Sequence, residues 1–125
     1  MRILIHGGFF SESSQSNETK LLKQKALLDI LEKSKAYLEN NSAVETSIFA
    51  TSLLEDSPLF NAGIGSQIQQ DGKIRMSAAI MNGANHRFSG VINIENVKNP
   101  VLVAQKLMRE DDRVLGGEGA TRYAS

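Results

Sequence analysis

The start of the chain combines a short apolar run with a long helical pattern. Arg2 to His6 is nearly continuous in apolar residues, which predicts a strand covered on both faces, and Gly7-Gly8 ends it. From Glu18 to about Glu39, apolar residues recur at helical spacing, with lysines and acids in much of the remainder, which predicts an amphipathic helix. Its apolar positions are Leu21, Leu27, Leu28, Ile30, Leu31 and Leu38.

A second helix is predicted directly after the first. Asn40-Asn41 breaks the first helix, and Ser42 then begins the next one. Glu45 stands three residues after Ser42, the spacing of a capping box. Ser57-Pro58 predicts the end of this helix, because the residue before a proline disfavours helical geometry.

The middle of the chain favours strands. Asp71-Gly72 is a strong two-residue turn signal, which predicts a hairpin between strands over Ser66–Gln70 and Lys73–Asn82. Phe88 to Glu95 predicts a further strand with apolar residues on both faces.

The C-terminal region predicts two helices around a short extended piece. Asn99-Pro100 is typical of a helix start, and this helix is expected to run to about Arg109. Val114-Leu115 predicts a short strand, and Gly117 to Ser125 a last helix. Because that pattern is still helical at Ser125, we expect either a chain end made by cutting or a frayed terminus.

Helices and strands in this order indicate a layered α/β or α+β architecture. At 125 residues, the chain is expected to be one unit over 1–125 without an internal boundary.

Composition removes several classes of function. Fourteen basic residues balance fourteen acidic ones, so no strongly basic surface draws the chain to nucleic acid or to a membrane. The absence of cysteine removes disulfides, thiolate zinc sites and cysteine nucleophiles. No apolar run reaches the ~18 residues of a membrane span. A signal peptide is not expected before Gly7-Gly8, so we expect a cytoplasmic protein.

Motifs for chemistry are sparse in this chain. His6-Gly7-Gly8 is either a loop that lines an active site or a plain turn after a strand. The sequence has no phosphate-binding loop, no nucleophile elbow, and no second ligand at metal spacing from His6 or His86. By itself the chain does not contain a complete active site.

One long segment carries a resemblance. The residues from Leu53 to Gly65 read LLEDSPLFNAGIG, and they are followed by Gln70-Asp71-Gly72 and by MSAAIMNG over 76–83. With these, the chain resembles the plant-type asparaginase or isoaspartyl peptidase family of N-terminal nucleophile hydrolases. The triplets His6-Gly7-Gly8, Ser89-Gly90-Val91 and Asn99-Pro100-Val101 occur in the order that the family has, so the resemblance covers essentially the whole chain.

The resemblance implies an α+β fold, a four-layer αββα sandwich whose sheet is completed by a partner β chain. Members are made as precursors that cut themselves, and the cut frees a threonine at the start of the β chain. The resemblance implies that this chain is the α chain, and none of its four threonines has a Gly-Thr-Val/Ile-Gly setting. An (αβ)₂ assembly is then expected.

The implied activity is amide hydrolysis on a small molecule, asparagine or a β-aspartyl dipeptide. The partner's threonine attacks, and its own amine acts as base. The oxyanion donors also come from the β chain. No organic cofactor is implied.

The family's pattern assigns this chain a supporting part of the site. Asn61 matches an active-site asparagine, or it only tethers its loop; Gly7 and Gly8, after His6, match a glycine loop near the nucleophile. A sodium ion held by main-chain carbonyls is also implied, the alternative being a packed loop without metal. The matching residues are Leu54, Glu55, Ser57, Phe60, Ala62 and Ile64.

Some residues depart from the family's pattern. Phe9-Phe10 follow the glycines where small residues are usual, and Ser77 and Asn82 replace aspartates of many members. These departures leave the preferred substrate open, with a glycosylasparaginase-like preference as an alternative. A scaffold member without activity and a stand-alone α/β binding module are the other hypotheses.

Overall fold

The computed structural model describes residues 1–8 and 16–125. In these residues four α-helices, one short 3-10 helix (Gly63–Gly65) and three strands form a small mixed α/β fold. The helices are α1 (Asn17–Leu38), α2 (Ala43–Glu55), α3 (Pro100–Leu107) and α4 (Gly117–Ala124), and the strands are β1 (Met76–Asn82), β2 (Arg87–Ile94) and β3 (Val114–Gly116). The pair Phe9-Phe10 lies outside the described residues.

The two N-terminal helices begin where the sequence predicts. Ser16 caps α1 by accepting the Thr19 N–H at 3.2 Å. The capping box of α2 is confirmed, because Ser42 Oγ accepts the Glu45 N–H at 3.2 Å and Glu45 Oε2 accepts the Ser42 N–H at 2.9 Å. Stacked rings of Tyr37 and Phe49, with centroids 4.3 Å apart, join the two helices.

The three strands form one sheet in the order β1-β2-β3. β1 and β2 are antiparallel, whereas β2 and β3 are parallel. The register shifts between Met76 and Ala78, where Ser77 Oγ accepts the Asn93 N–H at 3.2 Å. Asn82 Oδ1 accepts the Ala84 N–H at 3.0 Å, so Ser77 and Asn82, which stand where many family members have aspartate, both accept a backbone N–H.

One face of the sheet is buried and the other is open. Helices α3 and α4 pack on the buried face, and the two core clusters there contain Met76, Ile80, Val91, Ile94, Val101, Val103, Ala104, Leu107 and Ala120, with Ile48 added by α2. On the opposite face, which we call the open face, large apolar side chains are exposed. They are Met81 (62%), Phe88 (46%), Ile92 (52%) and Val114 (48%).

The predicted strand over Arg2–His6 is wrong for this structure. Residues 1–8 form no regular element, and Leu4 is 94% exposed. A strand exists only where a neighbour accepts and donates its backbone hydrogen bonds, and the described sheet holds no strand beside this segment. The apolar run alone therefore does not make this segment a strand.

The predicted hairpin is correct in its turn and wrong in its strands. Gly72 has φ +79° and Lys73 O accepts the Gln69 N–H at 2.8 Å, as in a tight turn. However, the first strand begins only at Met76, and Ser66–Gln70 is not a strand. The side chains of Gln69 and Asp71 accept hydrogen bonds from Arg75, and these contacts hold the segment in place of strand pairing.

The C-terminal elements are confirmed with small changes. Pro100 stands in the first turn of α3, as predicted, but this helix ends at Leu107 and Asn99 makes no side-chain cap. β3 and α4 occupy the predicted positions. None of the helices over 1–8 and 16–125 has the length and apolar character that crossing a bilayer requires.

Candidate functional site

Two segments that are distant in sequence meet at an open groove of about 360 Å³. One wall is the glycine segment, His6–Gly8, and the other belongs to the Asn61 loop, residues 56–67, which follows α2 directly. The lining residues are His6, Gly7, Gly8, Leu54, Phe60, Asn61 and Ala62.

The glycine segment is shaped by one hydrogen bond and one close contact. The Gly8 N–H donates to His6 Nδ1 at 3.1 Å, and Gly8 has φ +100°, a conformation that favours glycine. A Cβ atom on Gly7 would lie 3.1 Å from the side chains of Leu27 and Phe60. The absence of a side chain at Gly7 therefore lets this wall lie directly against α1 and the Asn61 loop.

Asn61 is held by its own loop. Its Oδ1 accepts the Gln67 N–H at 3.0 Å, which fixes the orientation of the amide. Asn61 lines the groove while Phe60, its neighbour, is 3% exposed and anchors the loop in the interior. With Oδ1 used inside the loop, the Asn61 Nδ2 is the group that can donate hydrogen bonds to a ligand.

The loop is compact because its two glycines, Gly63 and Gly65, let separate backbone segments pack in direct contact. Gly63 has φ +52°, and a Cβ there would overlap the carbonyl of Glu55. A Cβ on Gly65 would overlap the Phe60 carbonyl oxygen and lie 3.0 Å from the carbonyl oxygens of both Ser57 and Pro58. Three carbonyl oxygens thus converge on the small space that Gly65 leaves open.

The end of α2 and the start of α3 are joined by polar contacts. Glu55 is 2% exposed, and its Oε1 accepts the Val101 N–H at 3.0 Å. Asn99 Nδ2 donates to Asp56 Oδ1 at 3.0 Å, and Lys98 Nζ lies 3.1 Å from the same oxygen. Burial raises the pKa of Glu55, whereas the hydrogen bond from Asn99, helped by Lys98, lowers the pKa of Asp56.

A second polar cluster fixes the segment after the loop. The Arg75 guanidinium donates to Glu95 Oε1 at 3.0 Å, to Gln69 Oε1 at 2.7 Å and to Asp71 Oδ2 at 2.8 Å. The hydrogen bond from Arg75 lowers the pKa of Asp71. Arg75 thereby connects the Asp71-Gly72 turn to the end of the sheet.

The structure brings most of the predicted site residues together. His6, Gly7, Gly8, Leu54, Phe60, Asn61 and Ala62 share the groove. Glu55 is buried behind it, and Ile64, 56% exposed, lines a neighbouring groove with Ile74. Sequence reasoning missed the contact of Gln67 with Asn61 and the role of the Glu55 side chain. The two glycines of NAGIG were the available signal for the carbonyl cluster.

The side chains of the groove can bind and position a ligand. Within residues 1–8 and 16–125, no three histidine, aspartate or glutamate side chains come close enough to hold a metal ion. The main-chain carbonyl oxygens that converge beside Gly65 are of the kind that hard cations prefer.

Comparison with known proteins gives one consistent result. A family model described as asparaginase matches residues 1–125. Similar proteins include an isoaspartyl peptidase/L-asparaginase of Nostoc, 42% identical over 98% of this chain and 39% of its own length. A plant-type L-asparaginase of Pyrococcus abyssi is 39% identical over 98% of this chain and 40% of its own length. An isoaspartyl peptidase of Salmonella typhimurium is 37% identical over the same shares. The chain thus spans about two fifths of the length of these relatives.

Proposed function

This chain belongs to the asparaginase family, and from that premise we propose that it is the α chain of an isoaspartyl peptidase or L-asparaginase. The single observation that carries the proposal is the groove in which Asn61 and the glycine segment face one another. The nucleophile is supplied by the partner β chain, cut from the same precursor, as its N-terminal threonine.

The proposed reaction transfers an acyl group to threonine and then to water. The threonine Oγ attacks the side-chain carbonyl of asparagine or of a β-aspartyl peptide, and the threonine α-amine accepts the hydroxyl proton. The C–N bond breaks, the amine takes that proton to the leaving nitrogen, and an ester remains. Water then cleaves the ester, which releases aspartate and restores the hydroxyl.

Asn61 is proposed to support the reacting groups. Because its Oδ1 accepts the Gln67 N–H, its Nδ2 is available to donate to the threonine oxygen or to a substrate oxygen. Asn61 can therefore hold its loop through Oδ1 and bind a reacting group through Nδ2.

The glycine segment is proposed as the backbone wall of the same site. Gly7 and Gly8 carry no side chains, so a substrate can approach their peptide groups closely. His6 contributes the Nδ1 that holds the Gly8 N–H and so shapes the turn.

We propose that a sodium ion stabilises the Asn61 loop. The convergence of the Ser57 and Phe60 carbonyl oxygens beside Gly65 fits a hard cation. Its ligands would be the main-chain carbonyls of Leu54, Glu55, Ser57, Phe60, Ala62 and Ile64. The ion would offset the repulsion between the converging carbonyl oxygens and would take no part in the chemical step. Exchange of sodium for a bulky organic cation should lower the melting temperature, and an unchanged value would remove the ion from the proposal.

The open face supports the proposed four-layer sandwich. Met81, Phe88, Ile92 and Val114 form an exposed apolar patch on a sheet whose other face carries the buried core. Such a patch is typical of a surface that packs against another element. We propose that the second sheet, completed by the β chain, covers it, and that two αβ units associate as (αβ)₂.

The test begins with the full coding sequence that contains this chain. The purified product is examined by intact mass and assayed with L-asparagine and a β-aspartyl dipeptide, with the matching α-aspartyl dipeptide as control. We expect two chains, the second beginning with threonine, and hydrolysis of the amide and β-linked substrates alone.

The other outcomes separate the alternatives. A single uncut species without hydrolysis would contradict the proposal and favour a binding module. A cut but inactive protein would favour a scaffold member, and hydrolysis restricted to glycosylated asparagine would favour a glycosylasparaginase-like enzyme.

A further inference from the structure

Glu55 is the only ionisable residue among the buried ones of the part of the chain that the structure describes. It is the last residue of α2 and immediately precedes the Asn61 loop. Burying a carboxylate costs several kcal/mol unless hydrogen bonds compensate it. One of its oxygens, Oε2, has no hydrogen-bond partner among the described residues. Such a side chain calls for a role beyond packing.

The other oxygen caps a distant helix. Glu55 Oε1 accepts the N–H of Val101, which stands in the first turn of α3, 46 residues away along the chain. The expected capping residue, Asn99, makes no side-chain cap and binds Asp56 instead. A carboxylate at a helix N-terminus meets both the unpaired N–H groups and the positive end of the helix dipole.

Glu55 also touches the returning limb of the Asn61 loop. A Cβ on Gly63 would lie 2.6 Å from the Glu55 Cβ and would overlap its carbonyl oxygen. Gly63 is two residues after Asn61, and its Cα packs directly against the backbone of Glu55. A shift of the Glu55 backbone therefore moves the part of the loop that carries Asn61.

We propose that the Glu55 carboxylate is a positioning residue, which ties the N-terminus of α3 to the end of α2 and thereby sets the place of Asn61 in the groove. This inference rests on the proposed function for its effect on catalysis. Its structural content, the coupling of Val101 to the Asn61 loop, does not depend on the activity.

Three variants of the full-length protein that contains this chain test the inference. Glu55→Ala removes the acceptor, and Glu55→Gln keeps an oxygen at the same position. Glu45→Ala is the matched control, because it removes a glutamate that caps a helix start at the other end of the same α2.

The activity arm compares kcat and KM with a β-aspartyl dipeptide. Displacement of a positioning group by about 1 Å costs up to about a hundredfold in rate. We expect Glu55→Ala to lower kcat by about tenfold or more with a small change in KM, Glu55→Gln to restore most of kcat, and Glu45→Ala to leave it unchanged. Equal losses in Glu55→Ala and Glu45→Ala would overturn the inference, because helix stability alone would then explain them.

The exchange arm needs no substrate. Backbone hydrogen exchange is measured at Val101 and at Gln67, whose N–H is bound to Asn61 Oδ1. We expect Glu55→Ala to accelerate exchange at both amides and Glu55→Gln to restore protection. Faster exchange at Val101 with an unchanged Gln67 would overturn the inference, since Glu55 would then be only a helix cap. If the wild type hydrolyses none of the substrates, the proposed function fails, and this arm still decides the coupling.

Discussion

The two walls of the groove are built in different ways. The Asn61 loop is held at its start by Glu55 and Val101, inside by Asn61 and Gln67, and beyond its end by the Arg75 cluster. The glycine segment has the Gly8 to His6 hydrogen bond and the contact of Gly7 with Leu27 and Phe60. No strand in the described sheet supports it.

The Asn61 loop is self-sufficient within this chain, and the glycine segment is not. The loop is fixed by hydrogen bonds to residues of the same chain, whereas the glycine segment is exposed or half-buried and no described strand pairs with it. The more complete wall is therefore the one that this chain specifies alone, and the following experiments test that division.

The largest expected effect comes from the open face. Phe88→Glu places a charge on the patch that we propose the second sheet covers, and a buried unpaired carboxylate is strongly unfavourable. We expect loss of association with the β chain, measured by size-exclusion chromatography of the coexpressed chains, together with loss of hydrolysis.

Leu102→Glu is the control for that experiment. Leu102 is 43% exposed, close to the 46% of Phe88, but lies on α3 rather than on the open face. If both variants assemble normally, the open face is not the contact surface.

The next effect tests the self-sufficient wall. Gly63→Ala would force a Cβ into the Glu55 carbonyl at a positive φ, and we expect a loss of about 3 kcal/mol or more in unfolding free energy. Gly72→Ala has φ +79° but nothing within 4 Å of its Cβ, so it should cost only about 1 kcal/mol. Denaturant unfolding measures both, and equal losses would show that backbone strain, not the close contact, dominates.

A smaller effect separates the two roles of Asn61. Asn61→Asp keeps the oxygen that accepts the Gln67 N–H and removes the donor hydrogens of Nδ2. We expect kcat to fall about a hundredfold, the usual scale for loss of one positioned donor, with little change in melting temperature. Retained activity would mean that Asn61 serves only as a tether.

The smallest effect concerns the far end of α2. The hydrogen bonds from Ser42 lower the pKa of Glu45 below its ordinary value of 4.5, so its contribution to stability is present above pH 4.5 and is lost as the pH falls through the lowered pKa. The wild type should therefore exceed Glu45→Gln in melting temperature at pH 7 and approach it at acidic pH. An equal gap at both pH values would contradict this origin.

Local signals in the sequence were sufficient for most elements. The capping box of Ser42 and Glu45, the Pro100 helix start and the turn at Gly72 were all confirmed, because each depends on residues that are neighbours along the chain. The grouping of Asn61 with the glycine segment came from resemblance to a family, since nothing in the spacing of residues 6 and 61 indicates that they meet.

The helices, the turn at Gly72 and the compact Asn61 loop follow from local sequence, because caps, prolines and glycines act through local backbone geometry. Two features came from tertiary contacts: Glu55 caps α3 in place of Asn99, and no strand of the described residues pairs with Arg2–His6. Those outcomes depend on which distant groups come within hydrogen-bonding reach, and a linear pattern carries no information about that distance.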